Sequence, residues 1–197
     1  MMRQLKLSVA ALAAAAASLV LFAGGVHAGS DDWRAEKVDA EGYSHGPWRS
    51  GHALLAGQPE PETLERLAGE GYGLVVNLRT PEEMSELDFD YAGAIEASGM
   101  TYVHIPLRGN DAHPFTPAAV DTLAEVLARH DGPFLLHCAS SFRAGQLWGA
   151  YLVRHEDVAL NVAFDIARET GLRMPLEEFL GTRLEVREPL PDHAGHD

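Results

Sequence analysis

The chain has 197 residues, a formal net charge of −14 and a single cysteine. That length suits one domain with short appendages, and so acidic a surface repels phosphate backbones, which argues against a nucleic-acid partner. One cysteine excludes an internal disulfide, and His45, His52, His193 and His196 lack the spacing of a metal site, so no metal or cofactor is expected.

In chain order, Arg3 and Lys6, the apolar run from Leu7 to Ala23 and the small-ended Val26-His27-Ala28 follow the pattern of a secretory signal peptide cleaved after Ala28. The run falls short of the roughly 20 apolar residues a spanning helix needs, so no stable membrane insertion is expected after cleavage. Export to a bacterial periplasm or beyond is the expected localisation. Without Arg3 and Lys6, 13 basic residues would face 29 acidic ones, a charge of −16. An unpaired thiol in an oxidising compartment is either an inert buried hydrophobe or a group kept for its chemistry.

Residues 29–47 are polar and aperiodic and read as a linker or loosely held arm, residues 48–184 as the domain, and 185–197 as an acidic tail. Within the domain, Leu54-Leu55-Ala56 leads into a turn at Gly57-Gln58-Pro59, and Pro61 opens a helix with Leu64, Leu67 and Ala68 on one face, ending near Gly71. Leu74 to Leu78 has the length and branching of a buried strand. Thr80-Pro81-Glu82-Glu83 is a capping box, with Pro81 at the first helical position; its helix is expected to run to about Ala97 and stop at Gly99. Tyr102 to Leu107 is the next strand, followed by the loop from Arg108 to Pro114. Thr116-Pro117 caps a helix carrying Val120, Leu123, Val126 and Leu127, and Pro133 to His137 is a short buried strand. Beyond Arg143 the pattern stays helical through Leu147, Trp148, Tyr151 and Leu152, then Leu160 to Ala167, with a last helix from Pro175 to Leu180. Strands separated by helices imply crossovers: an α/β fold with a mainly parallel central sheet flanked by helices on both faces.

The informative segment runs from Phe134 to Gln146. A buried strand ends at His137, Cys138 opens a short loop, Arg143 closes it, and a helix is expected from about Ala144. Ligands of open α/β sheets bind beyond the carboxyl ends of the strands. Loop amides and a helix N-terminus make an anion cradle there, and the same helix end together with a nearby cation favours thiolate over thiol. Arginine suits such a cradle because its planar fork holds two oxygens of one phosphate.

His137-Cys138, the short loop and Arg143-Ala144-Gly145 resemble the signature of dual-specificity cysteine phosphatases. The four residues between Cys138 and Arg143 resemble more closely the phosphatase-like domain of bacterial beta-lactamase hydrolase-like proteins, as do Ala56 to Pro59 and Gly73 to Arg79. The resemblance implies Cys138 as nucleophile, Arg143 as phosphate clamp, Ala139, Ser140, Ser141, Phe142 and Ala144 as the lining that binds substrate, and Asp111 on the preceding loop as general acid, with His113 a weaker substitute. His137 reads as a hydrogen-bonded structural residue tuning the thiol, and Arg79 as a strand-end cation paired with Glu82 or Glu83 or touching substrate. Two departures stand out. Ser141 occupies a position where the related family usually has glycine, raising the question of a positive φ, and Ala144 replaces the hydroxyl residue that commonly follows the arginine.

The implied activity is hydrolysis of a phosphomonoester, on a phosphorylated small molecule or a phosphoprotein. Two other functions share the motif: rhodanese-like sulfur transfer through a persulfide on Cys138, and a catalytically weak anion- or phosphopeptide-binding module.

Overall fold

The computed structural model describes residues 33–171 and 176–184; the signal-peptide and acidic-tail assignments lie outside these. The elements are β1 (Glu36–Lys37), β2 (Trp48–Ser50), β3 (Ala53–Ala56), α1 (Pro61–Gly69), β4 (Leu74–Asn77), α2 (Pro81–Met84), α3 (Tyr91–Ala97), β5 (Thr101–His104), α4 (Pro117–Leu127), β6 (Phe134–His137), α5 (Phe142–His155), α6 (Leu160–Glu169) and α7 (Leu176–Leu180). They build one six-stranded sheet in the order β1-β2-β3-β6-β4-β5. β3, β6, β4 and β5 run parallel, and β2 and β1 add antiparallel at one edge.

Alternate strand residues feed two separate cores, which is how period-two side-chain geometry covers both faces of a sheet. Leu55, Val76 and Leu136 point to the face packed by α4, α5, α6 and α7, with Trp148, Val120, Ile166 and Phe179. Leu54, Val75 and Leu135 point the other way, against Leu64 and Leu67 of α1 and Tyr91 and Ile95 of α3. β6 is central, with Leu55 and Val76 both opposite Leu136, and Ala56 and Asn77 both opposite His137. The residue that follows, Cys138, therefore emerges between the ends of β3 and β4.

Three expectations change. The capping box at Thr80 forms as read, but its helix stops at Met84, and a second helix starts at Tyr91 where Asp90 caps the Gly93 N–H at 3.0 Å; a new cap is a stronger signal than continuous periodicity. The strand read as Tyr102 to Leu107 is regular from Thr101 to His104, opposite Leu74 to Asn77; beyond it Ile105 and Leu107 N–H still donate to the Asn77 and Leu78 carbonyls at 2.9 and 3.1 Å, but outside a regular ladder. Residues 33–47 are not a loose arm. Trp33 is only 7% exposed and packs at 5.9 Å from Trp148 and 5.7 Å from His52. Ser50 Oγ donates to the Trp33 carbonyl and accepts Trp148 Nε1–H at 2.8 Å, while β1 pairs with β2. The sequence signal misled because a strand of two residues between polar stretches has no visible period.

If Trp33 is part of the core, Trp33→Ala will cost about 3 kcal/mol or more of unfolding free energy, read as a lower urea midpoint at unchanged slope; a change below about 0.5 kcal/mol would return the segment to the role of an arm.

Candidate active site

β6 ends at His137 and α5 begins at Phe142, two residues before the expected Ala144, so the loop comprises only Cys138, Ala139, Ser140 and Ser141. Cys138 has no exposed surface, and its N–H donates to Ala56 O at 3.2 Å, continuing the β3 ladder by one residue. Ser141 adopts φ 65°, ψ −22° immediately before α5. This left-handed conformation is cheap for glycine and costs another residue on the order of 1 kcal/mol. Its Oγ is committed to the Ser140 and Thr170 carbonyls, the latter at 3.2 Å. Ala144, expected in the lining, is fully buried in the core beneath the loop, so its side chain packs and does not face a ligand. Ala139 and Phe142 are partly exposed and Ser140 exposed.

Arg143 crosses from α5 to β4 and the segment after β5. Its Nη1 donates to Leu78 O at 3.2 Å, Leu107 O at 2.6 Å and Glu83 Oε2 at 2.8 Å, and Nη2 donates to Glu83 Oε1 at 2.8 Å. Burial opposes the guanidinium charge, but the Glu83 hydrogen bonds and charge, with the Cys138 sulfur beside it, outweigh burial and push Arg143 above its ordinary value. Of its five N–H donors, those at the Nη1/Nη2 end are taken by Glu83 and the two carbonyls, and the guanidinium also hydrogen-bonds the Cys138 sulfur.

Glu83 is the residue that the sequence undervalued. The capping box was legible, and with it the Thr80 N–H bond to Oε2 at 2.8 Å, but the same carboxylate also binds Arg143 and Arg108, the latter at 3.0 Å. Burial alone would raise its pKa; the Arg143 hydrogen bond, the Thr80 N–H and the charges of Arg143 and Arg108 hold it at about 2. Arg79 departs from expectation. It binds the main-chain carbonyl of Glu83 at 2.5 Å and Gln58 Oε1 at 2.8 Å, its carboxylate partner is the exposed Glu86 at 3.9 Å, and its buried Nε has no partner. Glu82 does not pair with it.

His137 is buried and hydrogen-bonded through both ring nitrogens. Its Nδ1 lies 3.4 Å from the Cys138 carbonyl, which only accepts, so Nδ1 carries the proton and Nε2 accepts the Tyr91 hydroxyl at 2.7 Å. Complete burial, with the charges of Arg79 and Arg143 adding to it, lowers its pKa to about 3, so it is neutral at physiological pH. Asp111 is exposed in a turn closed by His113 N–H to Asn110 Oδ1 at 2.8 Å and by Arg108 and Gly109 N–H to His113 O at 2.8 and 2.9 Å. It makes no hydrogen bond or ion pair among the described residues; what joins its loop to the cysteine is the root, Leu107, through Arg143. His113 serves that turn through its backbone. Among the described residues, no group of three or more His, Cys, Asp or Glu is placed to hold a metal, and no helix is long and apolar enough to cross a membrane.

A mainly parallel sheet whose central strand ends in a buried cysteine, a short loop and a helix-borne arginine is the architecture of the tyrosine and dual-specificity phosphatase-like fold. The sequence profile of the beta-lactamase hydrolase-like protein, phosphatase-like domain, matches residues 50–152, 103 of the 197 residues, and the chain belongs to that family. The same fold is seen in the DUF442 protein of Shewanella putrefaciens CN-32 (TM-score 0.55, 21% identity, covering 67% of this chain and 85% of that one). It is also seen in P. aeruginosa TpbA in complex with phosphotyrosine (0.57, 16%, 79% and 90%), and in PTPMT1 in complex with PI(5)P (0.55, 17%, 66% and 88%). No curated protein matches the chain.

Acid should expose the cost of the buried histidine. His137 titrates at its ordinary 6.5 when unfolded and about 3 when folded, so the unfolded chain binds the extra proton between those values. Its contribution is complete above pH 6.5 and falls as pH drops, by at most about 1.4 kcal/mol per pH unit. Glu83, ordinary value 4.5, adds a second loss as pH falls from 4.5 toward 2. Urea midpoints should decline steadily from pH 6.5 to 4.5, and His137→Gln should flatten that limb; an unaltered limb would place the acid sensitivity elsewhere.

Proposed function

We propose that the protein is a cysteine-dependent phosphomonoesterase working through a phosphocysteine intermediate on Cys138. One observation carries the reading: the Cys138 sulfur and the guanidinium of Arg143, clamped by Glu83, meet beside the N-terminus of α5 at the end of the central strand. A helix N-terminus and a guanidinium favour the dianionic phosphoryl group that the sulfur would attack.

In the first step Sγ forms a bond to phosphorus as the ester P–O bond breaks, and the departing oxygen takes a proton from Asp111. In the second, water attacks phosphorus, the P–S bond breaks, the sulfur leaves as thiolate, and Asp111 recovers the proton. Arg143 neutralises charge on the equatorial oxygens in both steps. Asp111 suits the acid role by its freedom from any partner and by the Leu107–Arg143 tie at the base of its loop. Ala139, Ser140 and Phe142 border the entrance, and because the sulfur has no exposed surface, reaction requires this short loop to admit the phosphoryl group. A phosphorylated small molecule or phosphoprotein is the substrate class that such a site takes. Export through the N-terminal signal completes the proposal, and would show as a mature chain beginning at Gly29.

The test is turnover of an aryl phosphate by purified protein. Cys138→Ser should reduce kcat/KM to background, and Asp111→Asn should lower kcat by about 10²-fold or more, with greater effect on poor leaving groups. Turnover surviving Cys138→Ser would remove the nucleophile assignment. Transfer of sulfur from thiosulfate to cyanide, indifferent to Asp111→Asn and without phosphatase activity, would replace this function with sulfur transfer.

A further inference from the structure

Ser44 lies between β1 and β2, outside the span that matches the family, yet its Oγ donates to the carbonyl of Ala139, the residue after the cysteine, at 2.7 Å. The contact spans three layers of chain. Residues 41–45 run antiparallel along 57–60, through Ser44 N–H to Gln58 O at 2.9 Å, Gly57 N–H to His45 O at 2.7 Å, Glu60 N–H to Gly42 O at 2.9 Å and a bridge between Tyr43 and Pro59. Gly57 in turn bridges to Ser140. Ser44 reaches the cysteine loop only by crossing over Gly57: a Cβ there would stand 2.3 Å from Ser44 Oγ, 2.7 Å from His45 N and 3.1 Å from Ala139 O. Gly57 is not among the positive-φ residues, so its backbone does not call for glycine; the crossing does.

From this geometry we infer that Ser44 is a positioning residue, which sets the orientation of the Ala139–Ser140 peptide and so the anion affinity of the cysteine loop. A trans peptide is planar, and its carbonyl and the following N–H point in opposite directions. Ser44 holds the Ala139 carbonyl on the outer side, and thereby keeps the Ser140 N–H turned the other way. His137 does the same to the preceding peptide through the Cys138 carbonyl. Beside the Gly57–Ser140 bridge, the Ser44 hydroxyl is the side-chain contact on the second peptide; without it the Ala139 carbonyl is held less firmly, and rotation would set a carbonyl dipole where an anion needs a donor. The consequence for catalysis rests on the phosphatase reading above; the geometry does not.

The experiment uses the full chain with Ser44→Ala and Ser44→Thr, each in native and Cys138→Ser backgrounds. Inorganic phosphate titrated into the Cys138→Ser chains should bind about 3- to 10-fold more weakly after Ser44→Ala, the worth of one hydrogen bond, with Ser44→Thr restoring the affinity and thermal midpoints remaining within a few degrees. In the native background kcat/KM for an aryl phosphate should fall by a similar factor and recover with threonine. The Ser140 amide resonance should shift in Ser44→Ala and return in Ser44→Thr. Phosphate affinity and the Ser140 resonance both unmoved by Ser44→Ala, or a loss that threonine fails to restore, overturns the inference. Absence of phosphatase turnover in the unmodified chain would instead sink the phosphatase reading, leaving the resonance shift to decide on Ser44.

Discussion

The ion pair between Arg143 and Glu83 holds the site together. Both side chains are largely withdrawn from water, 8% and 15% exposed, and a buried charge is tolerable only when paired and hydrogen-bonded. Both carboxylate oxygens of Glu83 and both terminal nitrogens of Arg143 are engaged: Glu83 accepts from Thr80 N–H and two guanidiniums, and Arg143 also donates to the carbonyls of Leu78 and Leu107. Those two carbonyls close the chain segments after β4 and β5. One guanidinium thus joins the helix of the cysteine loop to the two segments that border it, including the root of the loop carrying Asp111.

The cysteine loop is short, and its conformation is imposed from outside it. Its four carbonyls are each occupied: Cys138 by the His137 ring, Ala139 by Ser44, Ser140 by the Ser141 hydroxyl and Ser141 by the Gly145 N–H of α5. His137 is itself oriented by Tyr91, from the helix on the other face of the sheet. The left-handed Ser141 then turns the chain into α5, and a glycine two residues beyond Arg143 lets that helix approach α6: a Cβ on Gly145 would fall 1.8 Å from Thr170 Oγ1. The strain at Ser141 is offset in part by its bond to the carbonyl of that same Thr170.

Electrostatics here is local. The chain carries −14 overall, but Arg108 and Arg143 converge on the Glu83 carboxylate and Arg79 on its main-chain carbonyl, Arg79 also lying 3.9 Å from the exposed Glu86. At a Debye length of about 8 Å in physiological salt the distant carboxylates are screened, whereas the buried arginines are not. On the reading proposed above, a small anion would meet a locally positive site on a negative protein, while a long polyanion would meet the repulsive surface around it.

The elements themselves were legible in the sequence because each is a local matter: Val75 and Leu135 in short branched runs, Thr80 and Thr116 before proline, Cys138 between a buried strand and a helix. The cysteine loop was legible too, since strand, loop and helix are consecutive, and the question raised by Ser141 was a question about its own φ. What only the tertiary structure decided were contacts made across sequence distances that no period encodes: Glu83 to Arg143 across 60 residues and Ser44 to Ala139 across 95. Trp33 was missed for the same reason, because a side chain anchored by an isolated long-range contact leaves no pattern among its neighbours. Local steric and hydrogen-bonding preferences write themselves into adjacent residues; the pairing of charges and the pinning of a peptide from afar depend on which strands the fold brings side by side.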